Sequence, residues 1–514
     1  MNTHENKFDL FARQEFQMSV FERTLLKGRV VRTGAFLALL LFICTVSPLG
    51  AQPIDVRYSR IALDFDSAVH DGMPEIRIAY QDTIVVPDVP WMRLRIADYH
   101  LGENSYIILR SSLDGGEQRL DAGSLPVWEN ATAIFNGDSV EVELHVAPGD
   151  SGVFVQFDEV IAGDPALFEA QTICGSADNR IDSTDNRVGR LYFGGCTAWF
   201  ITNGAFLTAG HCVDTNRDAN GNPAPDGVLD LSGVVEFNIP GSTANGQTVA
   251  ANPNDQFPIL TNTVVWSYDA VNTIGEDWAV FQVGANSNTG LMPWRAYNTI
   301  GLRPSRENPA ANDSIRITGC GLDNRPSGTG GFGAPCCTRD SNGNCTFDCN
   351  SDNFTLQRHS GPYVQQIVDS SNDISLHYRT DTTGGNSGSP IIWRTPAPDV
   401  AIGIHTNAGC TSTGGANQGT AFEVNVLETA VRNVTSTLAR FVDVGHPFAV
   451  TLGNGTILRP FDTVTEAVTA VVNNGVISIV AGNYTAVAGN TFTAGADGKA
   501  MRLVTLVGTV TIGQ

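Results

Sequence analysis

Polar and apolar residues alternate one by one through much of the N-terminal half, and that period of two is the feature that most limits how this chain can fold. Trp91-Met-Arg-Leu-Arg-Ile96, Ser105-Tyr-Ile-Ile-Leu109 and Val140-Glu-Val-Glu-Leu-His-Val146 are examples. Successive side chains of a strand point to opposite faces, so such a segment suits a strand with one face buried and one in water. Turn clusters, Asp114-Gly-Gly and Pro148-Gly-Asp, separate these runs. Residues 52–168 therefore predict an antiparallel β-sandwich with one solvated face. They hold no catalytic cluster, so the sandwich is expected to be a prodomain or an accessory domain. Further on, Gly, Asn, Asp and Thr punctuate short Val/Ile/Phe runs, and the 53 glycines fit a fold that is mainly β throughout.

At 514 residues the chain has room for roughly three domains. Hydrophobic residues make up 42% and charged ones 16%, a globular rather than a disordered balance. The formal net charge of −22 favours solubility and repels nucleic acid and anionic membranes, so neither is expected as a partner. A monomer is expected.

Lys27, Arg29 and Arg32 precede the apolar run Ala35-Phe-Leu-Ala-Leu-Leu-Leu-Phe-Ile-Cys44, which Pro48-Leu-Gly-Ala51 follows. A basic start, a short apolar stretch and small residues at its end read as a signal peptide over residues 1–51. The run is shorter than the ~20 residues of a membrane-spanning helix. The protein is therefore expected to be secreted, extracellular or periplasmic, and free of the membrane after signal cleavage. Ten cysteines suit an oxidising compartment. Cys196 and Cys212 are expected to close a local loop. Cys320, Cys336, Cys337, Cys345 and Cys349 crowd into a Gly-rich insertion, where disulfides fit better than zinc because the spacing does not repeat paired CxxC ligands.

Three segments carry chemistry together. Gly195–Cys212 delivers His211 at the end of an apolar strand. Gly275-Glu-Asp277-Trp-Ala-Val-Phe-Gln-Val283 puts Asp277 at the head of another. Thr382-Thr-Gly-Gly-Asn-Ser387-Gly-Ser-Pro-Ile-Ile392 sets Ser387 in a glycine-rich turn before a third. A serine hydroxyl needs a base to become a nucleophile, an imidazole is that base near neutral pH, and a carboxylate fixes the imidazole tautomer. The amides of Gly385 and Ser387 are the expected oxyanion-hole donors. The order His, Asp, Ser along the chain differs from that of subtilisins and α/β-hydrolases. This chemistry needs no cofactor, and no metal is assigned.

Thr208-Ala-Gly-His-Cys212 and Gly385-Asn-Ser-Gly-Ser-Pro390 resemble the trypsin/chymotrypsin superfamily. Gly175-Ser-Ala-Asp-Asn-Arg180, His359-Ser-Gly-Pro362, Asp381-Thr-Thr-Gly-Gly-Asn-Ser387 and Ile402-Gly-Ile-His-Thr-Asn407 are similar to segments of bacterial glutamyl endopeptidases of the staphylococcal and Bacillus type. The resemblance covers residues 173–437. It implies a chymotrypsin-like double β-barrel over 169–440 and a serine endopeptidase acting on proteins or peptides. It also implies that Thr382 and His405 hold an acidic P1 side chain, the one N-terminal to the scissile bond. Asp381, six residues before Ser387, stands where trypsin-like enzymes carry the acid that selects Lys or Arg, so a basic P1 is the alternative. A binding or adhesion protein with an inactive protease fold is a second alternative, against which the intact His211, Asp277 and Ser387 argue.

Three further readings complete the chain. Asp214-Thr-Asn-Arg-Asp-Ala-Asn-Gly221, with Asp226 and Asp230, offers oxygen ligands that could wrap calcium, but Ala219 and Pro225 stand where an EF-hand loop needs Gly and Glu. A helix is expected from Asn425 to Leu438. Residues 441–514, with a helical run Asp462–Val472 and strands Val476–Val480, Leu503–Val507 and Val510–Ile512, resemble the opening coils of a right-handed parallel β-helix of the pectate-lyase kind.

Overall fold

The computed structural model describes residues 58–513, apart from 164–170, 177, 217–223, 231–232, 244–247, 270–273, 323–336, 340–344, 348–353, 370, 395–397, 435–438, 489 and 491–498. The expected signal peptide, most of the Gly-rich insertion with Cys336 and Cys349, and the centre of the acidic loop lie outside the described residues, as do the side chains of Cys337 and Cys345.

The alternating segments form two four-stranded antiparallel sheets. One runs in the order Tyr58–Asp66, Phe154–Gly163, Trp91–His100, Phe135–Asn136; the other runs Arg77–Val85, Ser139–Val146, Tyr106–Ser111, Glu117–Asp121. Burial along Tyr106–Ser111 changes at every residue, as the sequence pattern requires. The core between the sheets holds Trp91, Leu94, Trp128, Leu144 and Phe157.

Two six-stranded barrels follow. In the first, Val188–Leu191, Cys196–Phe200, Phe206–Thr208, Trp278–Val283, Gln256–Ser267 and Val234–Glu236 close on themselves. The second closes because the long strand Thr355–Val368 pairs at one end with Ser314–Gly321 and at the other with Ile374–Tyr378; Pro390–Trp393, Val400–Asn407 and Asn417–Ala421 complete the ring. The double barrel implied by the resemblance is thus present. Across the paired strands Val188–Leu191 and Val234–Glu236, Arg190 and Glu236, neither exposed, make an ion pair of 2.7 Å, and the Arg190 guanidinium also donates to the carbonyls of Val249 and Phe354. A buried pair is tolerated only when its remaining hydrogen-bonding capacity is met in this way.

The sandwich is not an appendage. Tyr192, Val234 and Ala250 of the first barrel lie in the sandwich core, and Trp91 packs edge-on against Tyr192 at 5.2 Å and Phe193 at 5.6 Å. Two amide side chains replace backbone across the junction. Asn136 donates to the carbonyl of Ala250 and accepts its N–H, and Gln256 does the same with Ile134.

The C-terminal region joins the first barrel in the same manner. Ala439–Val442, Gly475–Ile479 and Met501–Val504 stack in parallel, as do Gly482–Tyr484 and Val510–Ile512. The helix Val464–Ala470 begins at a capping box made by Thr463 and Glu466. Phe441, Ile457 and Leu458 belong to the barrel core, and Arg303–Asp443 and Glu307–Arg459 pair across the boundary. The strand Ala439–Val442 spans the expected boundary at 440/441.

One expectation needs correction. The helix after the second barrel is Asn425–Asn433, with Val434 as its C-cap, and residues 435–438 lie outside the described residues. The β-branched and hydroxylated run from Val434 to Thr437 is a poor helix former, and Ala439 already pairs with Val476 in a parallel strand. Cys320 is a buried free thiol. It sits on a barrel strand against Leu322 and Phe354, and burial pushes its pKa up to about 12, so it is unreactive.

Because the sandwich and the first barrel share a core, a single cut engineered between residues 164 and 170 is expected to leave both parts in one particle. Size-exclusion chromatography under native conditions tests this; a separate sandwich peak would contradict it.

Candidate active site

The strand Phe206–Thr208 runs into a single 3-10 turn, Gly210–Cys212, that presents His211. Cys212 is disulfide-bonded to Cys196, with 6.2 Å between Cα atoms, so this turn is tied to the neighbouring strand. Trp278–Val283 pairs antiparallel with Phe206–Thr208, Thr208 opposite Ala279, and that register brings Asp277 to the His211 turn. The contact is two-pronged. Asp277 Oδ2 accepts from His211 Nδ1 at 2.5 Å and Oδ1 accepts from the His211 backbone N–H at 3.0 Å. The Thr420 hydroxyl, from the second barrel, donates to the Asp277 carbonyl. With its proton held on Nδ1 by a buried carboxylate, the imidazole carries its lone pair on Nε2.

Ser387 comes from the other barrel, in the turn before Pro390–Trp393. Strand Cys196–Phe200 holds that turn three times: the Thr197 N–H donates to the Ser387 carbonyl, the Thr197 hydroxyl to the Gly385 carbonyl, and the Trp199 indole to the Gly388 carbonyl. Gly388 has φ +86°, and a Cβ there would collide with the Thr197 carbonyl and the Thr208 hydroxyl, three residues before His211. Only glycine permits this approach. Gly385 also has positive φ, +91°. Asn386 closes the turn by accepting the Thr383 N–H on its side chain. Ser387 Oγ and His211 Nε2 are both buried and have no hydrogen-bond partner among the described residues. The amides of Gly385 and Ser387 donate to no carbonyl among the described residues.

Residues 196–396 match the family model of the trypsin-like peptidase domain. The matched residues run through strands of both barrels, so the double barrel has the trypsin-like fold. Among solved structures the chain is similar to a Glu endopeptidase in complex with MPD, at 20% identity over 51% of this chain and 99% of that one, with a TM-score of 0.33. It is also similar to a thermostable serine protease from an extremophilic microorganism, at 16% identity over 46% and 91%, with a TM-score of 0.29. No curated protein matches the chain.

Around the Ser387 turn, the two residues that the resemblance implies for P1 recognition are both buried. Thr382 accepts a hydrogen bond from Asn417 Nδ2 at 2.9 Å. His405 lies on Val400–Asn407; its N–H donates to the Ser389 carbonyl, and its own carbonyl accepts the Gly388 N–H. Asp381 is engaged elsewhere. Its two oxygens accept the backbone N–H groups of Cys174 and Asn179, each at 2.8 Å, and its own N–H donates to His359 Nδ1. The Cys174–Cys410 disulfide fastens the same N-terminal segment, and Gln171–Thr172 pairs with Thr382–Thr383.

The acidic loop is built by hydrogen bonds where it is described. Asp214 accepts the N–H groups of Asp226 and Gly227, and Asp230 accepts the N–H and the hydroxyl of Thr215. Cys196, His211 and Cys212 are the one group with metal-ligand spacing among the described residues, and its two sulfurs are joined in a disulfide. Thr197, Asn417 and Tyr378 escape a reading of sequence alone, because each acts across a strand boundary that no local motif marks.

Two predictions follow from this geometry. Thr197→Val removes both the donor to Gly385 and the acceptor for the Cys320 N–H. It is expected to cost about 1–3 kcal/mol, read as a lowered urea midpoint. Burial pushes the pKa of His405 down from 6.5 to about 3, and burial also lowers His359, His377 and His446. The unfolded chain therefore binds protons that the folded chain refuses, and stability falls as pH drops from 6.5 towards 3. His405→Gln should flatten that fall by on the order of 1 kcal/mol per pH unit, measured by urea unfolding between about pH 6.5 and about pH 4.5.

Proposed function

We propose that this protein is an exported serine endopeptidase that cleaves after acidic residues, with His211, Asp277 and Ser387 as its catalytic triad. The observation that carries the reading is the pair of unpartnered buried atoms, His211 Nε2 and Ser387 Oγ, in a site where Asp277 has already fixed the imidazole tautomer. Burying two polar groups without partners is costly, and a reaction that joins them through a substrate explains the cost.

In the proposed cycle, His211 Nε2 takes the hydroxyl proton as Ser387 Oγ bonds to the substrate carbonyl carbon. The resulting oxyanion is met by the amides of Gly385 and Ser387. The imidazolium, stabilised by Asp277, then gives its proton to the departing amine as the C–N bond breaks and an acyl-enzyme forms. Water repeats the sequence and releases the acid. No step needs a cofactor.

The acidic P1 preference is supported by what lines the turn. A hydroxyl at Thr382 and an imidazole at His405 can both donate to a carboxylate. The carboxylate that a Lys or Arg side chain would seek, that of Asp381, is already occupied by the N-terminal segment. Export is supported by the basic and apolar start of the sequence and by two disulfides.

A peptide library incubated with the mature protein, with every cut mapped by mass spectrometry, tests the reading. Cuts after Glu and Asp are expected. Ser387→Ala should lower kcat at least about 10⁴-fold, and Asp277→Asn about 10⁴-fold by destroying the tautomer. Cuts that survive in Ser387→Ala would refute the triad; cuts after Lys or Arg would refute the acidic preference alone.

A further inference from the structure

His405 does not stand alone. Its strand, Val400–Asn407, and the strand Ile374–Tyr378 lie on either side of Asn417–Ala421, with His405 opposite Gly419 and Tyr378 opposite Asn417. Tyr378 reaches across the middle strand. Its hydroxyl is 2.6 Å from His405 Nδ1, and the two rings meet edge to face at 6.1 Å between centroids. Both residues are buried, at 0% and 1% exposure. The imidazole also lies within hydrogen-bonding reach of the Gln418 carbonyl. The backbone on either side of this ring is pinned to the nucleophile turn, through Gly388 and Ser389.

The Tyr378 hydroxyl has one proton and two acceptors within reach: His405 Nδ1 at 2.6 Å and the Gln418 carbonyl at 3.2 Å. The choice decides what His405 offers to substrate. If the phenol donates to Nδ1, the imidazole proton must sit on Nε2, and the ring presents a donor. If the phenol donates to Gln418, Nδ1 keeps the proton, and Nε2 presents a lone pair. A carboxylate is accommodated by the first arrangement and repelled by the second. The first also uses the much shorter contact and the more basic acceptor.

We propose that Tyr378 is a positioning residue for substrate selection: by donating to His405 Nδ1 it holds the imidazole in the Nε2–H tautomer that binds an acidic P1 side chain. This rests on the reading of His405 as part of the P1 site. Burial keeps this imidazole neutral, so selectivity has to come from the position of one proton rather than from a positive charge.

Two measurements test the assignment. In the first, kcat and KM are compared for matched peptides with Glu or Gln at P1, in the wild type and in Tyr378→Phe. The Glu-to-Gln ratio of kcat/KM should fall about tenfold, the equivalent of one net buried hydrogen bond, and mainly through KM. A Gln side chain can turn its amide to suit either tautomer; a Glu carboxylate cannot. A ratio unchanged in Tyr378→Phe, with the wild type still preferring Glu, would overturn the role of Tyr378 and leave the specificity reading standing. A wild type indifferent to Glu would overturn that reading and this assignment together. The second measurement needs no change at position 378. In ¹⁵N-histidine-labelled Ser387→Ala protein bound to a peptide ending in Glu, the His405 resonance should show its proton on Nε2. A proton on Nδ1 would refute the proposal.

Discussion

The hold of strand Cys196–Phe200 on the Ser387 turn is the interaction on which everything else in the site depends. Thr197 and Trp199 belong to one barrel and the turn to the other, so three hydrogen bonds both dock the barrels and shape the glycine-rich loop. Thr197 Oγ1 links further, accepting the Cys320 N–H of the second barrel while donating to Gly385. The core follows the same logic, since Ile392, Ala401, Ile404 and Phe422 of the second barrel pack into the hydrophobic cluster of the first. The cleft is therefore set by packing and by hydrogen bonds that would each lose their partner if the barrels shifted.

A second layer of support lies outside the barrels. The segment from Cys174 to Asn179 saturates Asp381, and Asn417 joins that region to the nucleophile side by donating to Thr382 while accepting the amides of Gly409 and Cys410. A buried carboxylate that accepts several N–H groups is satisfied without a cation. Asp381 thus acts as an organiser of loops beside the buried polar wall formed by Thr382 and His405.

Much of this was legible in the chain before any coordinates. Strict alternation at Trp91–Ile96 and Val140–Val146 marks sandwich strands, since a one-residue slip would turn every apolar side chain outwards. The motifs around His211, Asp277 and Ser387 mark the candidate site because each residue lies beside the end of a strand. Properties that depend on distant pairing were not legible. The helix after Asn425 ends early because a parallel strand takes over at Ala439, and Cys320 is a core thiol because a barrel strand carries it inwards. Tyr378 is an ordinary strand residue until the register sets it across from His405. In the same way, nothing local tells that Tyr192, Val234 and Ala250 will complete the core of a neighbouring sandwich.

The Cys174–Cys410 disulfide has a consequence for processing. It joins residues 236 apart, and the N-terminal one lies only two residues beyond the short strand Gln171–Thr172. A scission just upstream of Cys174 creates a new N-terminus that the disulfide holds within a few residues of Cys410. Its effective concentration at the Thr382 strand stays in the millimolar range typical of short tethers, whatever the dilution of the protein. Rearrangement of that end is then unimolecular, and its rate is independent of how much protein is present.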